Sequence, residues 1–336
     1  MAWQRSDRPR FLIWPLNARL FSLSGPDDVQ AQLAVCDELE TLALELDRPL
    51  DAYTASMARY LTQLTVGDAE GMRRSLDRMA AAGRASGAAE SVLLHERLLA
   101  NGLLHQGRFA EAEAAYGAWL RQGRRRGLNY AGYFNRMSMA VLIRWRDGER
   151  GLRALPPRPV RGNFGEMPVV RARITGAAFA AGDHDKAAHL LELLSVHDFE
   201  DVSKDSELLH ALVGASEVAA GLGDRRCCQR LYALLEPYEK LRAVSSTTLS
   251  FGVVAHYLGL LAAALGQGDR AQRHLSWAVE EERRLGHTAR EVLSQSALLQ
   301  TLSRQGAEPE AIAELRAHVE TRARRLGMTS VLDSLG

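Results

Sequence analysis

The chain has 336 residues, of which 46% are apolar and 25% are charged, and its 42 Lys and Arg residues balance 41 Asp and Glu residues. A near-zero net charge disfavours a dedicated nucleic-acid binder, because contacts to phosphates supply much of the affinity of such proteins. Aromatic residues make up only 6%, and the abundance of Ala, Leu, Arg, Glu and Gln favours helices over a large β-sheet. The composition therefore predicts an all-α protein.

We expect neither a signal peptide nor a membrane-spanning segment. No apolar run approaches the ~20 residues that cross a bilayer. The short apolar stretch near the N-terminus is interrupted by Pro15 and is not followed by a small-residue cleavage site. We therefore expect a cytoplasmic protein without a membrane partner.

In chain order, residues 1–27 are expected to form an N-terminal extension, and residues 28–336 a helical repeat domain. The signal Gly25-Pro26-Asp27 predicts a helix over 28–46 that caps the array. Seven helix pairs follow. Their first helices are predicted at 50–66, 88–106, 129–146, 166–181, 205–222, 249–266 and 288–305. Their second helices are predicted at 68–85, 108–125, 149–155, 183–195, 224–241, 268–285 and 308–326.

A recurring glycine turn marks these pairs. The turn glycines are Gly67, Gly107, Gly148, Gly182, Gly223, Gly268 and Gly306, separated by 34 to 45 positions. Glycine can close the first helix in a left-handed conformation, and Asp68, Asp183, Asp224 and Asp269 can cap the second helix. The period predicts a right-handed superhelical solenoid of about seven antiparallel helix pairs, of the tetratricopeptide type.

The segment 152–166 interrupts the pattern. Its three prolines and two glycines preclude a long helix. We expect either an ordered loop or a hinge between two parts of the array.

The last third of the chain carries a family resemblance. The stretches are LYALLEPYEKL at 231–241, VVAHYLGLLAAALGQGDRAQRHLSWAVEEERRLG at 253–286 and ARRLGM at 323–328, with GRFAEAEAAY at 107–116 fitting more loosely. They resemble the C-terminal helical-repeat region of large ATP-binding LuxR-type regulators and of related adenylate-cyclase-like regulators. The resemblance implies the sensor or oligomerisation arm of a transcription regulator. The ATPase and DNA-binding modules of that family are not expected here, since no GxxxxGK[ST] motif occurs.

Candidate binding residues come from the first helix of each pair, which lines the concave face of such arrays. The densest aromatic and polar segment is LNYAGYFNRMSMAVLIRW at 128–145. We predict that the groove is lined by Tyr130, Tyr133, Phe134, Asn135, Arg136, Arg173, His210, His256 and Tyr257. Aromatic side chains there would supply contact area for a peptide or an amphipathic helix. The alternative is that they pack between neighbouring helices.

Cysteine and histidine patterns predict neither a metal site nor a cofactor. Cys36, Cys227 and Cys228 have no CxxC spacing, so we expect packing thiols rather than disulfides or a zinc site. His184 and His189 are not at the i, i+4 spacing that places two imidazoles on one ion, and no HExxH occurs.

The sequence contains no catalytic motif that we recognise. It favours a non-catalytic, regulatory scaffold that binds a protein or peptide partner. Three alternatives stay open: a small-molecule sensor with an enclosed pocket, an unfamiliar enzyme with a cavity near 130–175, and a homodimer through an apolar stripe on 308–326.

Overall fold

A computed structural model describes residues 8–155, 167–245 and 248–335, and almost all of its regular structure is helical. The helices of the first half are α1 (Arg8–Ser22), α2 (Val29–Glu45), α3 (Pro49–Val66), α4 (Ala69–Ser86), α5 (Ala89–His105), α6 (Phe109–Arg125) and α7 (Ala131–Arg153). Those of the second half are α8 (Pro168–Ala180), α9 (His184–Ser195), α10 (Leu208–Leu222), α11 (Arg225–Leu235), α12 (Val254–Ala264), α13 (Gly268–Arg284), α14 (Thr288–Gln305), α15 (Pro309–Leu326) and α16 (Thr329–Leu335). The predicted all-α class is confirmed.

Most of the glycine turns form as predicted. Gly67 ends α3 with a φ of 76°, and Asp68 then accepts a hydrogen bond from the amide of Gly71 at 2.9 Å. Equivalent aspartate caps open α9 and α11. The assignment was wrong at one turn: Gly266, not Gly268, has the positive φ, and Asp269 lies inside the first turn of α13 without a capping bond.

Two predicted helices differ from the structure, whereas the predicted break between 129–146 and 149–155 is present inside α7. Gly148 has a φ of 64° and a ψ of −145°, which interrupts the helix before its last residues, 149–153. The helix at 249–266 starts only at Val254, because its first residues form a strand, and the helix at 224–241 ends at Leu235. In the segment 152–166, residues 156–166 lie outside the described part of the chain.

Helices at both ends were not predicted. Within the predicted N-terminal extension, α1 packs against α2. At the other end, α16 packs against α7, where the Thr329 hydroxyl donates to the carbonyl of Arg146 at 3.2 Å. Val319 of the predicted α15 stripe is buried in the core. Leu315 of the same stripe packs against that core.

The middle and the end of the chain share one hydrophobic core. Helix α5 packs against α14, and α16 packs against α7. The buried side chains of this core come from α5 to α7 and from α14 to α16, and include Leu104, Tyr116, Trp145, Val292 and Val331. The helices are thus not restricted to contacts with their neighbours in sequence.

A β-hairpin lies among the helices. Strand β1 (Arg242–Val244) pairs antiparallel with β2 (Ser250–Val253), with an irregularity in register between Arg242 and Val244. β1 contacts α3 and α10, whereas β2 contacts α12 and α13. This hairpin therefore packs mainly against the first helices of the predicted pairs, where the sequence predicts an open groove.

The hairpin side chains enter four separate hydrophobic clusters. Ala243 packs with α8 to α13, Val244 with α3 to α5, Leu249 with the core shared by α5 and α14, and Val253 with α13. Asn101 of α5 holds the turn of the hairpin, because its buried amide donates to the carbonyl of Thr248 at 2.8 Å. The hairpin thus joins cores that the helix pairs alone would leave apart.

Candidate ligand site between the helices

Two neighbouring cavities lie beside the hairpin, and their walls come mainly from the first helices of the pairs. The larger cavity, of about 220 Å³, is bounded by α7, α10, α12, α14 and α16. The smaller one, of about 110 Å³, is bounded by α7, α8, α10 and α12. Four residues line both of them: Arg144, Glu217, Phe251 and Tyr257. The two cavities are therefore parts of one region of the interior.

An ion pair lines both cavities. Nη2 of Arg144 on α7 lies 2.6 Å from Oε2 of Glu217 on α10. Glu217 is the one acidic residue in α10, within the apolar sequence LLHALVGASEVAAGL. A carboxylate in such a setting needs a cation to offset its desolvation, and Arg144 supplies it.

A second ion pair borders the smaller cavity through Arg173. Arg173 of α8 approaches Glu207 at 2.5 Å, and the same carboxylate lies 3.1 Å from Nδ1 of His210. The His210 ring stacks on Phe251 of the hairpin, with ring centroids 4.2 Å apart. Burial lowers the pKa of His210 even though Glu207 favours its charged form. His210 is therefore a neutral hydrogen-bonding group at neutral pH.

Helix α12 contributes His256, Tyr257 and Leu260 to the wall of the larger cavity. Tyr257 is buried and donates its hydroxyl proton to the carbonyl of Phe251 at 2.6 Å. Nδ1 of His256 lies 3.0 Å from Oγ of Ser294 on α14. Burial, and after it the charge of Arg290, holds the pKa of His256 well below its ordinary value. Because Ser294 is fully buried and does not line the cavity, this Ser–His pair does not present a nucleophile to a ligand.

Arg290 of α14 is the most unusual group in the larger cavity. Its side chain is buried, with 3% exposed, and its Nε and Nη2 atoms have no hydrogen-bond partner among the described residues. The guanidinium lies 5.7 Å from the ring centroid of Trp145 and 5.6 Å from that of Tyr257. Aromatic faces attract a cation, but they do not replace a counter-ion.

The most deeply buried charge pair of the described residues lies outside both cavities. Arg242 of β1 and Glu282 of α13 are 1% and 0% exposed, and their side chains are 2.5 Å apart. Burial alone would raise the pKa of Glu282, but the charge of Arg242, the hydrogen bond and charge of His287 and the charge of Arg290 together hold that pKa well below the usual range. The other Glu282 oxygen accepts from the amide of Val253 at 3.0 Å. This pair therefore fastens the hairpin to α13 rather than facing a ligand.

A further cavity, of about 330 Å³, lies between α1 to α3 and the hairpin. Apolar side chains share its walls with several hydroxyl groups and the amide of Gln32, and its charged residues are Asp205 and Arg242. The Arg242 charge is already matched by Glu282.

No known protein-family model matches the chain, and no curated protein matches it in sequence.

Four of the nine predicted groove residues line the two cavities. Arg173 and His210 line the smaller one, His256 lines the larger one, and Tyr257 lines both. The structure thus brings together residues that are up to 84 positions apart in the sequence.

The five predicted residues at the start of α7 lie apart from these four. Tyr130 and Tyr133 are 37% and 50% exposed, and Phe134 makes edge contacts with both rings. The guanidinium of Arg97 lies over the Phe134 ring at 4.7 Å. Asn135 and Arg136 are half-buried. These residues form an aromatic patch at the α5–α7 surface and line neither cavity.

Sequence reasoning did not select Arg290, Glu217 or Phe251. Glu217 carried a usable signal, because an acidic residue inside an apolar helix needs a buried partner. Phe251 was not selected because the strand that contains it was not predicted. Arg290 had no local signal, since its aromatic neighbours come from α7 and α12.

Metal-binding and membrane-spanning features do not occur in the described part of the chain. No group of three or more His, Cys, Asp or Glu side chains there could hold a metal ion. No helix there is long and apolar enough to span a bilayer.

Proposed function

We propose that the chain is a non-catalytic, regulatory binding module of the tetratricopeptide-like type, and that it takes a small molecule into the two cavities beside α7. The observation that carries this proposal is the pair of adjoining cavities whose walls combine apolar surface with charged and polar groups. Small-molecule sites in proteins have this composition: mostly apolar walls with a few placed polar groups. The resemblance to the repeat arm of LuxR-type regulators favours a sensor role.

The contacts of the buried ionisable groups support a binding role over catalysis. Glu282 and His105, whose pKa values are strongly perturbed, do not line the two cavities. His256, whose pKa is also held well below its ordinary value, lines the larger cavity, but its Nδ1 is engaged by the buried Ser294. A catalytic acid or base must reach the substrate. The groups that do line the cavities, such as Arg144 and Glu217, are engaged with each other.

The test is co-purification of a bound small molecule. Native mass spectrometry of the purified full chain, followed by solvent extraction, would detect it. Ala297→Phe places a ring in the larger cavity, and Ala313→Phe on the exposed face of α15 is the matched control. We expect the wild type and Ala313→Phe to retain the compound and Ala297→Phe to lose it while keeping its helical content. Equal retention by both variants, or no retained compound in any of them, would contradict the proposal.

A protein or peptide partner is the second candidate, favoured by the aromatic patch at the start of α7. Tyr133 is half-exposed next to Phe134 and Tyr130, and aromatic residues with an arginine nearby are typical of binding hot spots. The double variant Tyr133→Ala with Arg136→Ala should then abolish capture of a stoichiometric partner. Unchanged capture would exclude this patch as its site.

A further inference from the structure

The charge of Arg290 is not matched by any carboxylate within ion-pair distance in the described residues. Four other arginines that are buried or half-buried in the interior do have such partners. The pairs are Arg144–Glu217 at 2.6 Å, and Arg173–Glu207, Arg242–Glu282 and Arg322–Glu291 at 2.5 Å. A buried cation without a counter-ion is costly. The chain satisfies this requirement by direct contact for four arginines, whereas Arg290 has only a longer-range interaction with Glu282, which is already paired with Arg242.

The Arg290 guanidinium is also held in place. It lies against the backbone of Gly252 in β2. A Cβ atom added to residue 252 would lie 2.5 Å from Nε of Arg290. The rings of Trp145 and Tyr257 flank it. Nε and Nη2 are buried against β2, and the side chain lines the larger cavity. The remaining nitrogen, Nη1, is therefore the one that a counter-ion in that cavity can contact.

The charges of the cavity wall indicate the charge of the ligand. The charged lining residues are Arg144, Glu217 and Arg290, two positive and one negative. His256 stays neutral, because burial and the charge of Arg290 keep its pKa low. The wall therefore has a surplus of one positive charge, which one carboxylate would neutralise. A phosphate monoester carries more than one negative charge at neutral pH and would overcompensate it.

From these observations, and resting on the function proposed above, we infer that the larger cavity binds a small organic monocarboxylate whose carboxylate group contacts Arg290. Charge-assisted hydrogen bonds from a guanidinium suit a carboxylate. The remaining wall offers Ser296, Gln300 and Ser330 for polar contacts, and Leu260 and Leu293 for an apolar body. The volume of about 220 Å³ limits the ligand to a small metabolite.

Stability without ligand distinguishes a binding role from a structural role for Arg290. Arg290→Met removes an unmatched buried charge, so the melting temperature of the unliganded chain should stay unchanged or rise. The matched control is Arg242→Met, which removes an equally buried arginine that is paired with Glu282, and its melting temperature should fall. If Arg290→Met lowers the melting temperature as much as Arg242→Met does, Arg290 is a structural cation and the inference fails.

Binding is measured by calorimetric titration of the full chain with butyrate and benzoate at low chloride concentration. Butyramide and benzamide serve as neutral controls of the same shape, and inorganic phosphate serves as the alternative anion. We expect each carboxylate to bind at least tenfold more tightly than its amide and more tightly than phosphate. Arg290→Met should reduce carboxylate affinity by about 10–100-fold and leave amide affinity unchanged. In a parallel fluorescence titration, carboxylate binding should change the tryptophan emission of the wild type but not that of Trp145→Phe. This result would locate the ligand beside Trp145 and Arg290.

Other outcomes separate this inference from the proposed function. Equal binding of amides and carboxylates would leave a small-molecule cavity in place but overturn the carboxylate inference. If phosphate binds more tightly than the carboxylates, the site prefers a different class of anion and the carboxylate inference is also overturned. Absence of carboxylate binding to the wild type overturns it whatever the amides do.

Discussion

The Arg242–Glu282 pair gives the sharpest test of how the hairpin is held. Glu282→Gln keeps the shape of the side chain and an oxygen that can still accept from the amide of Val253. It removes the negative charge, however, and Arg242 is 1% exposed, so water cannot replace that charge. The amide group of Gln would also face a guanidinium donor that lies 2.5 Å from the present carboxylate.

The expected cost follows from this geometry. Breaking a buried ion pair by neutralising one partner costs about 3–5 kcal/mol, because the remaining charge stays buried without compensation. The double variant Arg242→Met with Glu282→Gln should be less destabilised than Glu282→Gln alone, since no isolated charge remains. The two substitutions should therefore be strongly non-additive.

The assay is urea unfolding followed by far-ultraviolet circular dichroism at neutral pH. A matched control is Glu70→Gln, which breaks the exposed i, i+4 pair with Arg74 and should cost no more than about 0.5 kcal/mol. The buried-pair argument would be refuted if Glu282→Gln lowered the free energy of unfolding by as little as Glu70→Gln does, with no change in the slope of that free energy against urea concentration.

Three further predictions use the same measurements. Gly252→Ala should destabilise the chain by more than the roughly 1 kcal/mol expected for Gly127→Ala. Both glycines have a positive φ, but only at Gly252 would the added Cβ meet Arg290. Equal losses of unfolding free energy for the two variants, measured in urea, would contradict the clash. Stability should fall below about pH 6.5, by roughly 1 kcal/mol per histidine at about pH 5.5. The reason is that burial keeps the pKa values of His105 and His256 well below 6.5, so only the unfolded chain takes up those protons; a flat profile would contradict this. The thiol of Cys228 should resist alkylation by iodoacetamide until the chain unfolds, since burial raises its pKa to about 12.

Local signals were sufficient to predict the helix pairs. A glycine with positive φ followed by a capping aspartate, as at Gly67-Asp68, specifies the end of one helix and the start of the next within a few residues. The error at Gly268 arose because two glycines flank Gln267, and only the backbone geometry distinguishes which of them ends the helix.

Contacts between distant parts of the chain could not be predicted in this way. Asn101 and Thr248 are hydrogen-bonded across 147 positions, and neither residue has a sequence environment that indicates the other. The β-branched residues around 242–253 did carry a strand signal, but the repeat pattern on either side favoured a helix. Once the hairpin is present, the cavities beside it and the burial of Arg290 follow from long-range packing.

The hairpin also has a consequence for how the chain is made. When the ribosome has synthesised α1 to α10, the two strands that contribute to the four hydrophobic clusters have not yet been made. The hydrogen bond between Asn101 of α5 and Thr248 cannot form until that later segment is present. Closing a loop of that length is entropically slow, so the early helices must persist with apolar inner surfaces exposed until synthesis is well past the midpoint. Linear repeat arrays can fold from any end and add units one at a time. This chain should instead acquire its final stability late and in one cooperative step, and fragments that end before residue 253 should be prone to aggregation.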